Sequence, residues 1–125
     1  MDWLKAPAAE QGRAILAGLI SPVEQAEAYL DAIARHPYGK RIYARTTPGR
    51  ARAEAIAAHD RARAGLRRGL LDGVAISWKD NIDSSGIATE AGSRLLSKRM
   101  PSQDAAILAG ATLDGLVCLG KTHMT

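Results

Sequence analysis

Phenylalanine is absent from these 125 residues, and two tryptophans and three tyrosines make up the whole aromatic complement. A core without large rings has few anchors, so a domain of this size is thinly packed unless it rests on something else. Cysteine occurs once, at Cys118, which excludes an internal disulfide and a Cys-based zinc site. No apolar run approaches the roughly 20 residues that a bilayer span needs, so a membrane partner is not expected. The opening Met1-Asp2-Trp3-Leu4-Lys5 lacks the basic and apolar regions of a secretory signal, leaving cytoplasm as the default compartment. Repeats, Gly/Ser linkers and low-complexity tracts are also missing, so the chain reads as one structural unit. What is present is 46% hydrophobic residues, dominated by alanine, and 24% charged residues. That balance belongs to a globular chain, not to a disordered or fibrous one.

Seventeen basic residues against 13 acidic ones leave a formal charge of +4. The excess is local. Residues 35–68 hold ten Lys or Arg against only Glu54 and Asp60. Such a block can meet phosphates or an acidic partner, but most charge runs are solvated helix faces, and that is the reading taken here.

Helices come first. Residues 8–20 carry Ile15, Leu16 and Leu19 at helical spacing. Ser21-Pro22-Val23-Glu24 starts a second helix, with Ser21 as cap, Pro22 in the first turn and Glu24 completing a capping box; Pro37 stops it. Residues 41–45 form a short extended stretch at best. Thr47-Pro48 restarts a helix by the same logic, running to about Leu66. With few large apolar side chains, that helix should lie on the surface and approach a neighbour through alanine.

The character changes at Gly69. Val74-Ala75-Ile76-Ser77-Trp78 and Leu116-Val117-Cys118-Leu119-Gly120 are compact apolar runs of strand type, and a helix beginning at Pro101-Ser102 lies between them. Strand, helix, strand with apolar strands is the pattern of a parallel βαβ unit covered on both faces. Two strands do not make a stable sheet, so the α/β core looks unfinished. The expected division is a helical lead-in over residues 1–68 and the start of the α/β core over 69–125.

Trp78-Lys79-Asp80-Asn81 carries the most chemical information. A lysine at the carboxyl end of an apolar parallel strand stands where α/β proteins place working side chains. Desolvation penalises an ammonium ion, so a lysine in an apolar neighbourhood can serve as a general base. The competing reading is a lysine that reaches water or pairs with Asp80 or Asp83.

Four blocks sharpen this. Leu71-Asp72-Gly73-Val74-Ala75-Ile76-Ser77-Trp78-Lys79-Asp80-Asn81-Ile82-Asp83 comes first, followed by Ala88-Thr89-Glu90-Ala91-Gly92-Ser93. Pro101-Ser102-Gln103-Asp104-Ala105 and Gly120-Lys121-Thr122-His123-Met124-Thr125 complete the set. In order and separation these blocks resemble the amidase signature family. Ser21-Pro22-Val23-Glu24 and Ala28-Tyr29-Leu30 resemble its N-terminal helices, so the likeness covers nearly the whole chain.

The resemblance implies an incomplete amidase-type α/β fold, with N-terminal helices followed by the first βαβ part of a mixed, mainly parallel sheet. It implies hydrolysis of a carboxamide by a Ser–cis-Ser–Lys triad, in which Lys79 is the catalytic lysine and no metal or cofactor takes part. Both serines, and the N–H groups of the oxyanion hole, belong to a Gly/Ser-rich segment beyond Thr125. This chain would then be the N-terminal portion of a longer amidase and inactive alone, with a small amide as substrate and further chain or subunits as partners. A glutamine-hydrolysing A-type subunit of a tRNA transamidation complex carries the same motifs and stays open. So does a non-catalytic module using its basic block on nucleic acid or an acidic protein, although a nucleic-acid partner is not expected, since the aromatic interleaving used for base stacking is missing.

Other residues read more plainly. His36, His59 and His123 lack metal-ligand spacing. His123 also departs from the asparagine often found there in the family. Ser93 follows a glycine but suits backbone capping better than nucleophilic attack, and Cys118 reads as a buried structural thiol.

Overall fold

The structure, a computed structural model, describes residues 1–124, so Thr125, which closes the last of the four blocks, lies outside the described residues. Helices α1 (Ala8–Leu16), α2 (Pro22–Arg35) and the single turn α3 (Gly39–Ile42) lead into strand β1 (Tyr43–Thr46). Helix α4 (Pro48–Arg63), strand β2 (Ala75–Lys79), helix α5 (Ala106–Leu113) and strand β3 (Val117–Thr122) follow. The expected βαβ unit is present, with β2 and β3 parallel and in central contact. The sheet nevertheless has three strands. The stretch read only as extended forms β1 and pairs antiparallel with β3, giving the order β1-β3-β2 and a mixed α/β fold. Gly120 permits this. A Cβ there would stand 2.6 Å from the Arg45 carbonyl oxygen and 2.8 Å from Thr46 Cα.

Alternation along β3 separates two cores. Val117 and Leu119 face α2 and α4, meeting Ala26, Leu30, Ala51 and Ala55, while Cys118 faces Trp78 and Leu108 on the α5 side. The aromatic shortage is met by close approach. Ala51, Ala55 and Ala58, spaced one helical turn apart, bring α4 flush against its neighbours and are completely buried.

Capping follows the sequence in part at α2: Ser21 Oγ accepts the Val23 N–H at 3.2 Å and Pro22 occupies the first turn, but Glu24 makes no return bond to close a capping box. At α4 it does not. Thr47 makes no cap; its buried hydroxyl donates to the Cys118 carbonyl at 3.0 Å and its N–H to the Leu119 carbonyl at 2.9 Å, tying the helix start to β3. Helix α4 stops at Arg63, short of Leu66, because the chain turns left-handed at Gly65 and the Leu66 N–H reaches back to the Arg61 carbonyl. Helix α1 closes in the same way, with the Leu19 N–H on the Ala14 carbonyl. Helix α5 starts at Ala106 and not at Pro101, because the Asp104 carboxylate is engaged by Arg50 and the Ser85 N–H, holding residues 101–105 as a loop.

The basic block is divided: Arg35, Lys40, Arg41, Arg52, Arg63 and Arg68 are exposed, while others are drawn into internal pairs. Arg50 grips Asp104 with two hydrogen bonds, Arg52 grips Glu27, and Arg61 grips Asp72 at 2.6 and 2.9 Å. Arg67 and Arg68 donate to backbone carbonyls around residues 70–72 and to Leu113. Among the described residues no helix is long and apolar enough to cross a membrane.

Asp72 is buried, and burial by itself would raise its carboxyl. The Arg61 hydrogen bonds, the Arg68 N–H and the charges of Arg61 and Arg67 overcome that and hold it below the ordinary carboxylate value of 3.8. The Arg50 hydrogen bonds lower Asp104 in the same direction. Their stabilising contribution is therefore complete above the unfolded value and is lost as pH falls through the lower folded values. Urea unfolding should show stability declining below about pH 4, with Asp72→Asn costing about 2–3 kcal/mol at neutral pH and flattening the acid limb. An unchanged acid limb in that variant would contradict the assignment.

Candidate active site

Lys79 is the last residue of β2 and lies beside Thr122 of β3. The peptide that follows it is held from both sides. The Asp80 N–H donates to the Thr122 carbonyl at 2.9 Å, and the Ile82 N–H donates to the Lys79 carbonyl at 3.0 Å. The Lys79 side chain itself is exposed. Burial expected at that lysine falls instead on Lys121, one strand away and completely buried.

The Lys121 ammonium occupies the inside of the loop formed by residues 80–91. Nζ donates to the Ile82 carbonyl at 2.6 Å and to Thr89 Oγ1 at 3.0 Å, and stands 3.9 Å from Asp80 Oδ1. Burial pushes this amine below the ordinary lysine value, while the Asp80 charge opposes the shift and Arg45 adds to it. Asp80, also buried, closes the loop at its base. Its carbonyl accepts the Ala91 N–H at 2.9 Å, and its carboxylate accepts the Glu90 N–H and an Arg45 N–H.

Arg45 sits opposite Lys121 on β1. Its guanidinium also reaches the Ala88 carbonyl at 2.8 Å and Glu90 Oε1 at 3.0 Å, and the other Glu90 oxygen accepts the Lys98 N–H. Three of the four motif blocks thus contribute to one cluster: Asp80 from the first, Thr89 and Glu90 from the second and Lys121 from the fourth. The third enters through Asp104, which accepts the Ser85 N–H at 2.8 Å and braces the far side of the loop. A groove of about 310 Å³ opens beside this cluster, lined among others by Arg45, Asp80, Glu90, Ser93 and His123. A larger hollow of about 600 Å³, between α2, α3 and β1, is lined by aliphatic side chains such as Leu30 and Ile33 together with His36, Tyr43 and Arg45.

The remaining polar candidates are engaged structurally. Ser93 Oγ accepts the Leu95 N–H at 3.2 Å and caps a short 3-10 turn, Ser77 pairs with the Tyr43 hydroxyl, and Ser84 and Ser85 donate to backbone carbonyls. His123 Nε2 lies 2.9 Å from the Lys40 carbonyl oxygen. Cys118 is buried, which pushes its thiol up. Among the described residues no three His, Cys, Asp or Glu side chains are grouped to hold a metal ion. The sequence offers no local signal for the cluster of Arg45, Asp80, Glu90 and Lys121, because only the pairing of β1 with β3 sets residue 45 opposite residue 121.

The pattern of the amidase family matches residues 24–125. The chain belongs to the amidase family. Its similarity to the A-type subunit of the glutamyl-tRNA(Gln) amidotransferase from Anaeromyxobacter sp. (strain K) is 37% identity over 92% of this chain and 23% of that protein. The corresponding protein of Thermobifida fusca is 36% identical over 98% of this chain and 25% of its own length. Among solved structures, the peptide amidase of Stenotrophomonas maltophilia superposes with a TM-score of 0.88 at 31% identity, covering 97% of this chain and 25% of that one. An amidase family protein of Bacillus anthracis superposes at 0.85 with 27% identity, over 96% and 24%. The amidase fold is therefore present over the matched part, and the chain spans about a quarter of the length of these relatives.

Removing the Arg45 guanidinium would leave the Asp80 carboxylate buried with a single cation 3.9 Å away. Arg45→Met should cost about 2–4 kcal/mol of stability and speed hydrogen exchange at the Ala91 N–H, with Arg45→Lys recovering part of both. Unchanged unfolding and exchange in Arg45→Met would show the cluster to be energetically idle.

Proposed function

We propose that the enzyme to which this chain contributes hydrolyses the C–N bond of a small carboxamide, with Lys79 as its general base. The observation that carries this reading is that three of the four motif blocks meet in the loop that follows β2, at whose base the peptide after Lys79 is hydrogen-bonded through both its N–H and its carbonyl. Membership of the amidase family and the likeness to a peptide amidase support it. In this reading residues 1–125 are part of one amidase-type domain. The two serines of the triad come from chain that this sequence does not include, and the enzyme works in the cytoplasm without metal or cofactor.

The proton accounting is simple. In this relay the Lys79 amine accepts a proton from the bridging serine, which takes one from the nucleophilic serine as its oxygen attacks the amide carbon. As the C–N bond breaks, the same proton returns from Lys79 through the bridge to the departing nitrogen. Water then releases the acid by the reverse relay. A serine hydroxyl is a poor nucleophile without such a base, so the amine is indispensable.

A second reading makes this chain part of a glutaminase that releases ammonia for transamidation. It is favoured by the 36–37% identity to the A-type subunits of glutamyl-tRNA(Gln) amidotransferases. The two readings separate on one assay. Ammonia release from glutamine that appears only on adding partner subunits selects the second, and release from simple amides by the enzyme alone selects the first.

In either case Lys79→Ala in the complete enzyme should reduce ammonia release about a thousandfold or more, and residues 1–125 alone should release none. Wild-type turnover by Lys79→Ala would remove Lys79 from the role of base. Measurable turnover by the 125 residues alone would place a nucleophile inside them.

A further inference from the structure

We propose that Lys121 is a positioning residue, whose buried ammonium, seated on Thr89 and the Ile82 carbonyl, sets the direction in which Lys79 leaves β2. The proposal rests on the reading of Lys79 as the base. Lys121 lies on a neighbouring strand and acts on Lys79 through the backbone.

The path is short. Lys121 Nζ donates to the Ile82 carbonyl, and the Ile82 N–H donates to the Lys79 carbonyl. One residue thus carries both links, so a shift of the Ile82 peptides is passed to the peptide that follows Lys79. The other side of that peptide is held by the Asp80 N–H on Thr122, the residue next to Lys121. Asp80 in turn lies between Lys121 and Arg45 and accepts the Ala91 N–H at the loop base.

A merely space-filling role does not explain a lysine here. An ammonium ion out of contact with water is costly unless its donors are met, and an aliphatic side chain of similar length would fill the same volume without that cost. What the ammonium adds is direction: its donors reach two points of one loop and its charge faces a third. Thr89 is seated for this, since its hydroxyl donates to the Ile87 carbonyl at 3.1 Å and so presents a lone pair to Nζ. The buried amine is held below the ordinary lysine value by desolvation, with Asp80 opposing.

The test uses the complete enzyme with Lys121→Met, Thr89→Val, Thr89→Ser, Lys79→Ala and the double variant Lys79→Ala with Thr89→Val. Turnover of an amide and hydrogen exchange at the Asp80 and Ile82 amides are both measured. Displacing a catalytic group slightly is enough to cost about tenfold to a hundredfold in rate. Lys121→Met and Thr89→Val should therefore lower kcat by about that factor with KM within about twofold, and quicken exchange at both amides about tenfold or more. Thr89→Ser should recover kcat and exchange together, and Thr89→Val should cost nothing further once Lys79 is alanine. Should Lys121→Met fail to fold, the near-isosteric Thr89 variants carry the test alone. Wild-type kcat in Thr89→Val, or an additive loss in the residual rate of the double variant, would overturn the positioning role while Lys79→Ala alone still lost about a thousandfold. Full activity in Lys79→Ala would instead overturn the base assignment, whatever the exchange rates showed.

Discussion

A buried carboxylate with a cation on each side holds the working end of this fold. Asp80 lies between Arg45 on β1 and Lys121 on β3, so the ion cluster crosses the sheet at the point where β2 ends. Ions out of water are stable only when their partners are complete, and here each partner comes from a different part of the sequence. The loop of residues 80–91 is thereby closed on itself, and Lys79 stands at its base.

Ion pairs also anchor the alanine-rich α4. Arg61 with Asp72 fastens α4 to the turn before β2, and Arg50 with Asp104 fastens it to the loop before α5. Bidentate guanidinium–carboxylate pairs fix orientation as well as distance, which a small alanine interface cannot do. Alanine supplies closeness and arginine supplies angle. Arg45, Arg50, Arg61 and Arg67 of the basic block are thus internal fastenings, while its other cations stay exposed.

Much of the scaffold was legible in the sequence because its causes are local. Ser21-Pro22 opens α2, and the apolar runs around Val74 and Val117 are strands with a helix between them. The apolar run ending at Trp78 located Lys79 at the end of a strand, and the chain is an amidase family member. What escaped was non-local. Four residues around Tyr43 form a strand only because Gly120 lets them approach β3, and Thr47 serves that strand in preference to its own helix. The greasy neighbourhood expected around Lys79 is occupied by Lys121, since residues 80–91 fold back over β3 and leave the tip of β2 exposed. Neither lysine's setting is visible without the loop that separates them.

The account turns on where the Lys79 amine points when the enzyme is whole. A crystal structure of the complete enzyme with an amide-mimicking inhibitor measures this directly. The account predicts Lys79 Nζ within hydrogen-bond reach, about 3 Å, of a serine hydroxyl supplied from outside these residues. It also predicts that the contacts of Lys121 to Thr89 and Ile82 are retained. Lys79 turned to solvent with no hydroxyl beside it, in an inhibited enzyme, would contradict the account.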